Sequence, residues 1–193
     1  PMLAPALDPS GGLRPLSGSP AVDAVPAASC SMTLVADQRS LPRPTGDGCD
    51  AGSVEVQVRP DGLIRRGTGP LVGDGVHNLT AVGQTRTAAV RDRTTTRFTI
   101  RVDNDGEQET TIVVRGPKGQ GRVTARYRVA GQDVTSSVVA GRELPLAAGA
   151  SATVGLRITV AAGTPDGLQR SFTVRVRTTD GGEDRVRAAV RVR

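Results

Sequence analysis

The chain has no tryptophan, and Phe98, Tyr127 and Phe172 are its only aromatic side chains in 193 residues. Any core must therefore be built from valine, leucine, isoleucine and alanine. Such a supply favours thin β-layers, because β-branched side chains fit a pleated surface. No apolar run approaches the ~20 residues that span a bilayer. A charged-then-apolar start of signal-peptide type is missing. The chain opens at Pro1 and not at a methionine, so it reads as a processed product or a fragment, and the missing signal says little about export. Cysteine is scarce too. Cys30 and Cys49 are the only two, and they do not form the Cys-x-x-Cys pair of thioredoxin-like redox catalysts. The one histidine, His77, is remote from both, which leaves a cysteine-based zinc site without ligands. Lys118 is the only lysine. Near-exclusive arginine is explained as easily by a GC-rich genome as by a ligand.

The charge that is present divides the chain. Residues 1–57 carry three arginines (Arg14, Arg39, Arg43) against six acids, a net of −3. Residues 58–193 carry the other 22 basic and 13 acidic residues, a net of +9. The pattern changes near the same place. Up to residue 52, proline and glycine interrupt every run, and scraps such as "LAPAL" and "AVDAV" are all there is to bury. So little apolar burial does not offset the conformational entropy of ordering the segment alone. It must be disordered, stapled, or docked on something else, and we expect it to be the less stable part.

From Val54 onward, alternation dominates. "VEVQV" alternates, "RFTIRVD" sets Phe98, Ile100 and Val102 on one face, and "VGLRITV", "SFTVRVRT" and "RVRAAVRVR" repeat the pattern. Strict alternation marks half-buried strands. Weaker strands fit "RTAAV", "TTIVV", "VTARYRVA" and "VTSSVVA". Turn clusters separate them at "DNDGE", "GPKGQG", "LAAGAS", "AAGTPDG" and "TDGGED". No amphipathic helix stands out. Seven to nine strands after residue 58 predict an antiparallel β-sandwich. "DNDGE" resembles the start of a calcium loop, but an EF-hand would need an acid where Val114 stands, so a hairpin turn is expected. "GPKGQGR" departs from the phosphate-loop spacing and reads as a second hairpin. Asn78-Leu79-Thr80 is a glycosylation sequon by pattern only.

Three stretches of the first segment resemble a known pattern. They are "GSPAVDA" (Gly18, Ser19, Pro20, Ala21, Asp23, Ala24), "DQRSLPRP" (Asp37, Arg39, Arg43, Pro44) and "CDAGSVE" (Cys49, Asp50, Gly52, Glu55). Together they are similar to the terminal segment of bacterial right-handed parallel β-helix proteins of the secreted or surface "choice-of-anchor" type. Ser40 and Ser53 depart mildly from that pattern. The resemblance covers about residues 1–57 and implies that β-helix coils lie upstream. Residues 58–193 resemble more loosely the immunoglobulin-like modules that follow such helices. The implied fold is all-β: a terminal parallel β-helix coil and cap over 1–57, then an antiparallel immunoglobulin-like β-sandwich over 58–193. In such an exported, loop-rich segment two cysteines form a disulfide, and closing an 18-residue loop contributes on the order of 3 kcal/mol.

The implied function is a non-catalytic structural or adhesion-type module outside a bacterial cell, with the upstream coils as partner and no cofactor. An accessory part of a polysaccharide lyase or hydrolase is the alternative, on fold analogy alone. Asp23, Asp37, Asp50 and Glu55 offer carboxylate pairs of the glycosidase kind. The stronger reading has them bonding turn amides and pairing with Arg39 and Arg43. A third reading concerns Arg97, Arg101, Arg157, Arg175, Arg177, Arg187, Arg191 and Arg193, which sit at outward strand positions. They are expected either to be solvated, keeping strand edges from aggregating, or to hold an acidic cell-wall polysaccharide or similar polyanion. Nucleic acid is disfavoured, because Phe98 and Phe172 point to the core face and leave no stacking platform.

Overall fold

The computed structural model describes residues 2–16, 18–31 and 33–193, so Pro1, Ser17 and Met32 of the expected 1–57 segment lie outside the described residues. The structure is all-β apart from short helical turns. In the first segment, β1 (Val25–Pro26) pairs antiparallel with β2 (Gly48–Cys49). Isolated bridges join Leu3 to Pro15 and Ala36 to Pro42. Every pairing within this segment is antiparallel, so the described residues show no parallel β-helix pairing there.

The remaining strands are β3 (Pro60–Arg66), β4 (Thr85–Val90), β5 (Thr95–Asn104), β6 (Thr110–Arg115), β7 (Gly119–Gln120), β8 (Val123–Val129), β9 (Gln132–Asp133), β10 (Arg142–Leu146), β11 (Ser151–Val160), β12 (Gln169–Thr178) and β13 (Glu183–Val192). They form two sheets. One is ordered β3-β5-β11-β8-β7 with β9 also on β8, and the other β10-β6-β12-β13-β4. Phe98, Ile100, Leu156, Ile158 and Tyr127 of the first sheet meet Ile112, Phe172, Val174, Val186 and Val190 of the second in one core. All ten are at most 3% exposed. Alternation along each strand put them there, since successive side chains point to opposite faces. Tyr127 is held by its hydroxyl, which donates to Pro117 O at 3.0 Å. Burial raises its pKa well above the usual phenol value.

Several expectations change. The sandwich is not wholly antiparallel, because β13 pairs parallel with β4. "VTSSVVA" contains no strand. Thr135–Ala140 is helix α1. Asp133 Oδ1 accepts the Thr135 amide at 2.9 Å, Thr135 Oγ1 accepts the Tyr127 amide at 2.9 Å, and Val138 plugs the core. Gly141 ends the helix at φ 118. "DNDGE" is not a hairpin turn: it carries the chain from β5 in one sheet to β6 in the other. "LAAGAS" and "AAGTPDG" cross between sheets in the same way. In "GPKGQGR" the first residues cross and only Gly121-Arg122 closes a hairpin, β7–β8. "TDGGED" joins the antiparallel partners β12 and β13 as a hairpin. β3 and β10, which the pattern did not single out, complete the sheet edges. β3 lacks alternation because it is buried on both faces.

The other face of β3 is covered by the 67–84 loop. Val72 exchanges two backbone hydrogen bonds with Ile64. Asp184, fully buried, accepts the amides of Gly62 at 2.8 Å and Asn78 at 2.9 Å, and the Gln84 side chain. The sequon residue Asn78 is spent inside this loop, with Oδ1 accepting from Thr80 and Nδ2 donating to Val82 O and Gln84 Oε1.

Candidate functional site

The first segment lies against one end of the sandwich, and its acids and arginines build the contact. The alternating "VEVQV" forms no strand and lies in no sheet. Its amides bond to side chains instead. Glu55 N donates to Asp37 Oδ2 at 3.1 Å, Val56 N to Asp50 Oδ2 at 2.7 Å, Gln57 N to Glu107 Oε2 at 3.0 Å and Val58 N to Thr45 Oγ1 at 3.3 Å. Val54, Glu55, Val56 and Gln57 are each at most 4% exposed. A buried amide must find an acceptor, and carboxylates supply three of the four. The alternating pattern suits a strand but finds no neighbouring strand, and the acids accept its amides instead.

Each named acid is accounted for in this way. Asp37 Oδ1 accepts the amides of Arg39 at 2.7 Å and Leu41 at 3.1 Å. Burial raises the Asp37 pKa, but hydrogen bonds from Glu55, Arg39 and Leu41 outweigh it and leave a net lowering. Asp50 Oδ1 accepts the Asp23 amide at 2.9 Å. Glu55 Oε1 and Oε2 accept the amides of Thr45 and Asp50 at 3.2 and 3.0 Å. Burial holds the Glu55 pKa above its ordinary value despite those bonds. Asp23 Oδ1 accepts the Gly48 amide at 2.8 Å. Its pKa is raised by burial and by the neighbouring Asp50, Asp47 and Asp180.

The two arginines act as clamps. Arg43 reaches Gly52 O at 2.8 Å, Asp50 O and the Glu55 carboxylate at 3.2 Å. Arg39 pairs with Asp37 at 2.8 Å, donates to Glu55 O, and crosses to Glu107 on the sandwich. The Glu107 backbone also bonds to the segment: its amide donates to Gln57 O at 3.0 Å, and its carbonyl accepts from the Arg14 guanidinium at 2.8 Å. Sequence reasoning missed Glu107, which stands 68 residues from Arg39. The excess of acid in residues 1–57 was the available signal that buried amides there needed acceptors. Cys30 and Cys49 form a disulfide with Cα atoms 6.0 Å apart. It ties the 30–48 excursion to β2.

Between segment and sandwich lies a cleft of about 280 Å³ lined by Asp23, Asp50, Val56, Asn104, Thr110 and Asp180. Asp50 is fully engaged by amides. Asp180 accepts from Thr110 at 2.6 Å. Asp23 is the carboxylate there with a raised pKa and one oxygen bonded. A glycosidase needs two carboxyl groups in complementary protonation states across a substrate. Asp50, Asp37 and Glu55 already spend both oxygens on the fold.

The eight arginines, expected at outward strand positions, divide between the two sheets and do not share one face. Arg97, Arg101 and Arg157 stand on β5 and β11. Arg175, Arg177, Arg187 and Arg191 stand on β12 and β13, with Arg193 just beyond. The two groups lie on opposite outer faces, because alternation points both sets away from one shared core. Arg175 is paired with Glu183, and Arg101 with Asp103. Arg187 donates to Thr80 O at 2.9 Å, holding the 67–84 loop. On the β5–β11–β8 face, Arg97, Arg157 and Arg126 stand directly opposite one another across three strands.

No protein family matches the chain, and no curated protein matches it. Among solved structures it is similar to the N-terminal domain of PorA, with TM-score 0.44 at 12% identity, covering 68% of this chain and 97% of that one. It is also similar to a FixG-related protein from Vibrio parahaemolyticus, with TM-score 0.40 at 7% identity, covering 69% of this chain and 96% of that one. The major pilin subunit of Bacillus cereus gives TM-score 0.36 at 13% identity, covering 55% and 37%. No helix among the described residues is long and apolar enough to cross a membrane.

Proposed function

We propose that the chain is a non-catalytic structural module of a bacterial secreted or surface protein. In this reading residues 1–57 close the end of a stack of parallel β-helix coils, and residues 58–193 form an immunoglobulin-like spacer. One observation carries the proposal. The large apolar side chains left exposed are concentrated in the first segment: Met2, Leu3, Leu7, Leu13, Leu16, Leu34 and Val35, against Leu79 and Val82 elsewhere. Several line an open groove of about 610 Å³ together with Pro15, Ala21 and Val54. A contiguous apolar face of this kind marks a surface meant to be covered, and a preceding coil stacks on such a face in a solenoid. The disulfide supports an oxidising, extracellular setting. The test compares this chain with a version extended through the upstream coils. The chain alone should bind an environment-sensitive apolar dye, and the extended version should lose that signal while amides of residues 2–35 gain exchange protection. Equal dye binding by both would overturn the proposal.

A second reading is favoured by the Arg97–Arg157–Arg126 row. Like charges directly opposite across strands are destabilising, and a polyanion laid across them relieves the repulsion. Retention on heparin at low salt that falls steeply with salt, and drops in Arg157→Ala, supports this reading. No retention at low salt removes it.

A further inference from the structure

The 67–84 loop brings the one histidine of the chain against two acids that are distant in sequence. Asp61 lies on β3, His77 on the loop, and Asp105 just after β5. One donor atom from each lies within 4.8 Å of the other two. We propose that Asp61, His77 and Asp105 form a binding site for a divalent cation of the zinc type, which pins the 67–84 loop to the sheet.

Three observations carry this assignment. Asp61 is fully buried, and its Oδ1 has no hydrogen-bond partner, while Oδ2 accepts the Gly75 amide at 2.8 Å. A buried oxygen of this kind calls for a partner that the protein does not supply, a water, a proton or a cation. Second, His77 Nδ1 lies 3.2 Å from Pro60 O. A carbonyl can only accept, so Nδ1 carries the hydrogen and the lone pair is left on Nε2. A histidine Nδ1–H bonded to a backbone carbonyl is the arrangement that orients an imidazole as a ligand. Third, His77 makes no ion pair with either acid within 4.0 Å. Ligand atoms on a tetrahedron with bonds of about 2.0–2.2 Å sit about 3.3–3.6 Å apart, so the three donor atoms, within 4.8 Å of one another, draw in by up to about 1.5 Å on a metal.

The donor set selects the metal. One imidazole and two carboxylates suit zinc and its neighbours better than calcium, which takes six to eight oxygens. Three protein ligands leave a fourth position for water or a donor from a partner. The cysteines do not compete, since both are in the disulfide.

The experiment is titration of the tag-free, disulfide-intact chain with ZnCl2 by calorimetry, with thermal unfolding followed alongside. The expected result is one zinc per chain and a raised unfolding midpoint. His77→Gln and Asp105→Asn, neither at a fully buried position, should each weaken binding at least tenfold while retaining the wild-type circular dichroism spectrum. CaCl2 should leave the midpoint unchanged. Absence of zinc binding to the wild-type chain overturns the proposal, as does binding undiminished in both variants. A midpoint raised equally by calcium overturns the assignment of the imidazole as a ligand.

Discussion

Replacing Glu107 by alanine tests how the first segment is held. Its carboxylate receives Arg39 twice and the Gln57 amide once. Hydrogen bonds to charged groups contribute about 1.5–3 kcal/mol each when buried. The Glu107 side chain is 23% exposed, and Arg39 keeps Asp37 as a partner, so the sum is discounted. The Gln57 amide, in contrast, loses its acceptor in a residue only 3% exposed. We expect a loss of about 2–3 kcal/mol, confined to docking of the segment. Hydrogen exchange reads this directly. Amides of Glu55, Val56 and Gln57 should exchange about 30- to 150-fold faster in Glu107→Ala, while those of β11 and β12 change little, since opening of the segment is local. A double-mutant cycle with Arg39→Ala should return a coupling of about 1–2 kcal/mol. Uniform acceleration across both halves would refute the reasoning, because the contact would then belong to one cooperative unit. A loss below about 0.5 kcal/mol would refute it as well.

Three further outcomes are expected. Cys30→Ser with Cys49→Ser should cost the first segment roughly 3 kcal/mol of chain entropy, seen as faster exchange there, and wild-type protein should show no free thiol by non-reducing mass spectrometry. Burial raises the Glu183 pKa, but hydrogen bonds from Arg185 and Arg175 outweigh it and hold it below 4.5. Its stabilising contribution is therefore present above about pH 4.5 and is lost as pH falls through the depressed value. Glu183→Gln should flatten the acid limb of the stability curve, and an unchanged limb would refute that link. Asn104 is fully buried, donates to Gln108 O at 2.8 Å and Leu146 O at 2.9 Å, and accepts the Gly106 amide at 3.0 Å. Asn104→Ala should cost about 2–3 kcal/mol in chemical denaturation, because the buried Leu146 carbonyl and the half-buried Gln108 carbonyl lose their donor.

Strand positions and the two core faces were legible because alternation is a local property. "RFTIRVD", "VGLRITV" and "SFTVRVRT" each carry their buried face in their own spelling. Connectivity was not legible in this way. A turn cluster such as "DNDGE" reads the same whether it returns the chain to its own sheet or carries it to the facing one. The difference lies in which strands later pair, over separations of tens of residues. "VTSSVVA" misled for a related reason. Its valines suit a strand, but the bonds of Asp133 and Thr135 and the core space for Val138 favoured a short helix.

The chain's composition and periodicity settle an all-β sandwich with an aliphatic core, because each strand's apolar face must be buried whatever it pairs with. They also leave residues 1–57 with few apolar residues to bury. Tertiary structure alone decided which acids meet which amides. The Arg39–Glu107 clamp joins residues 68 positions apart, and Asp61, His77 and Asp105 meet only once the 67–84 loop folds over β3. Side chains reach one another over a few ångströms, and spacing along the chain records no such distance until the sheets are packed.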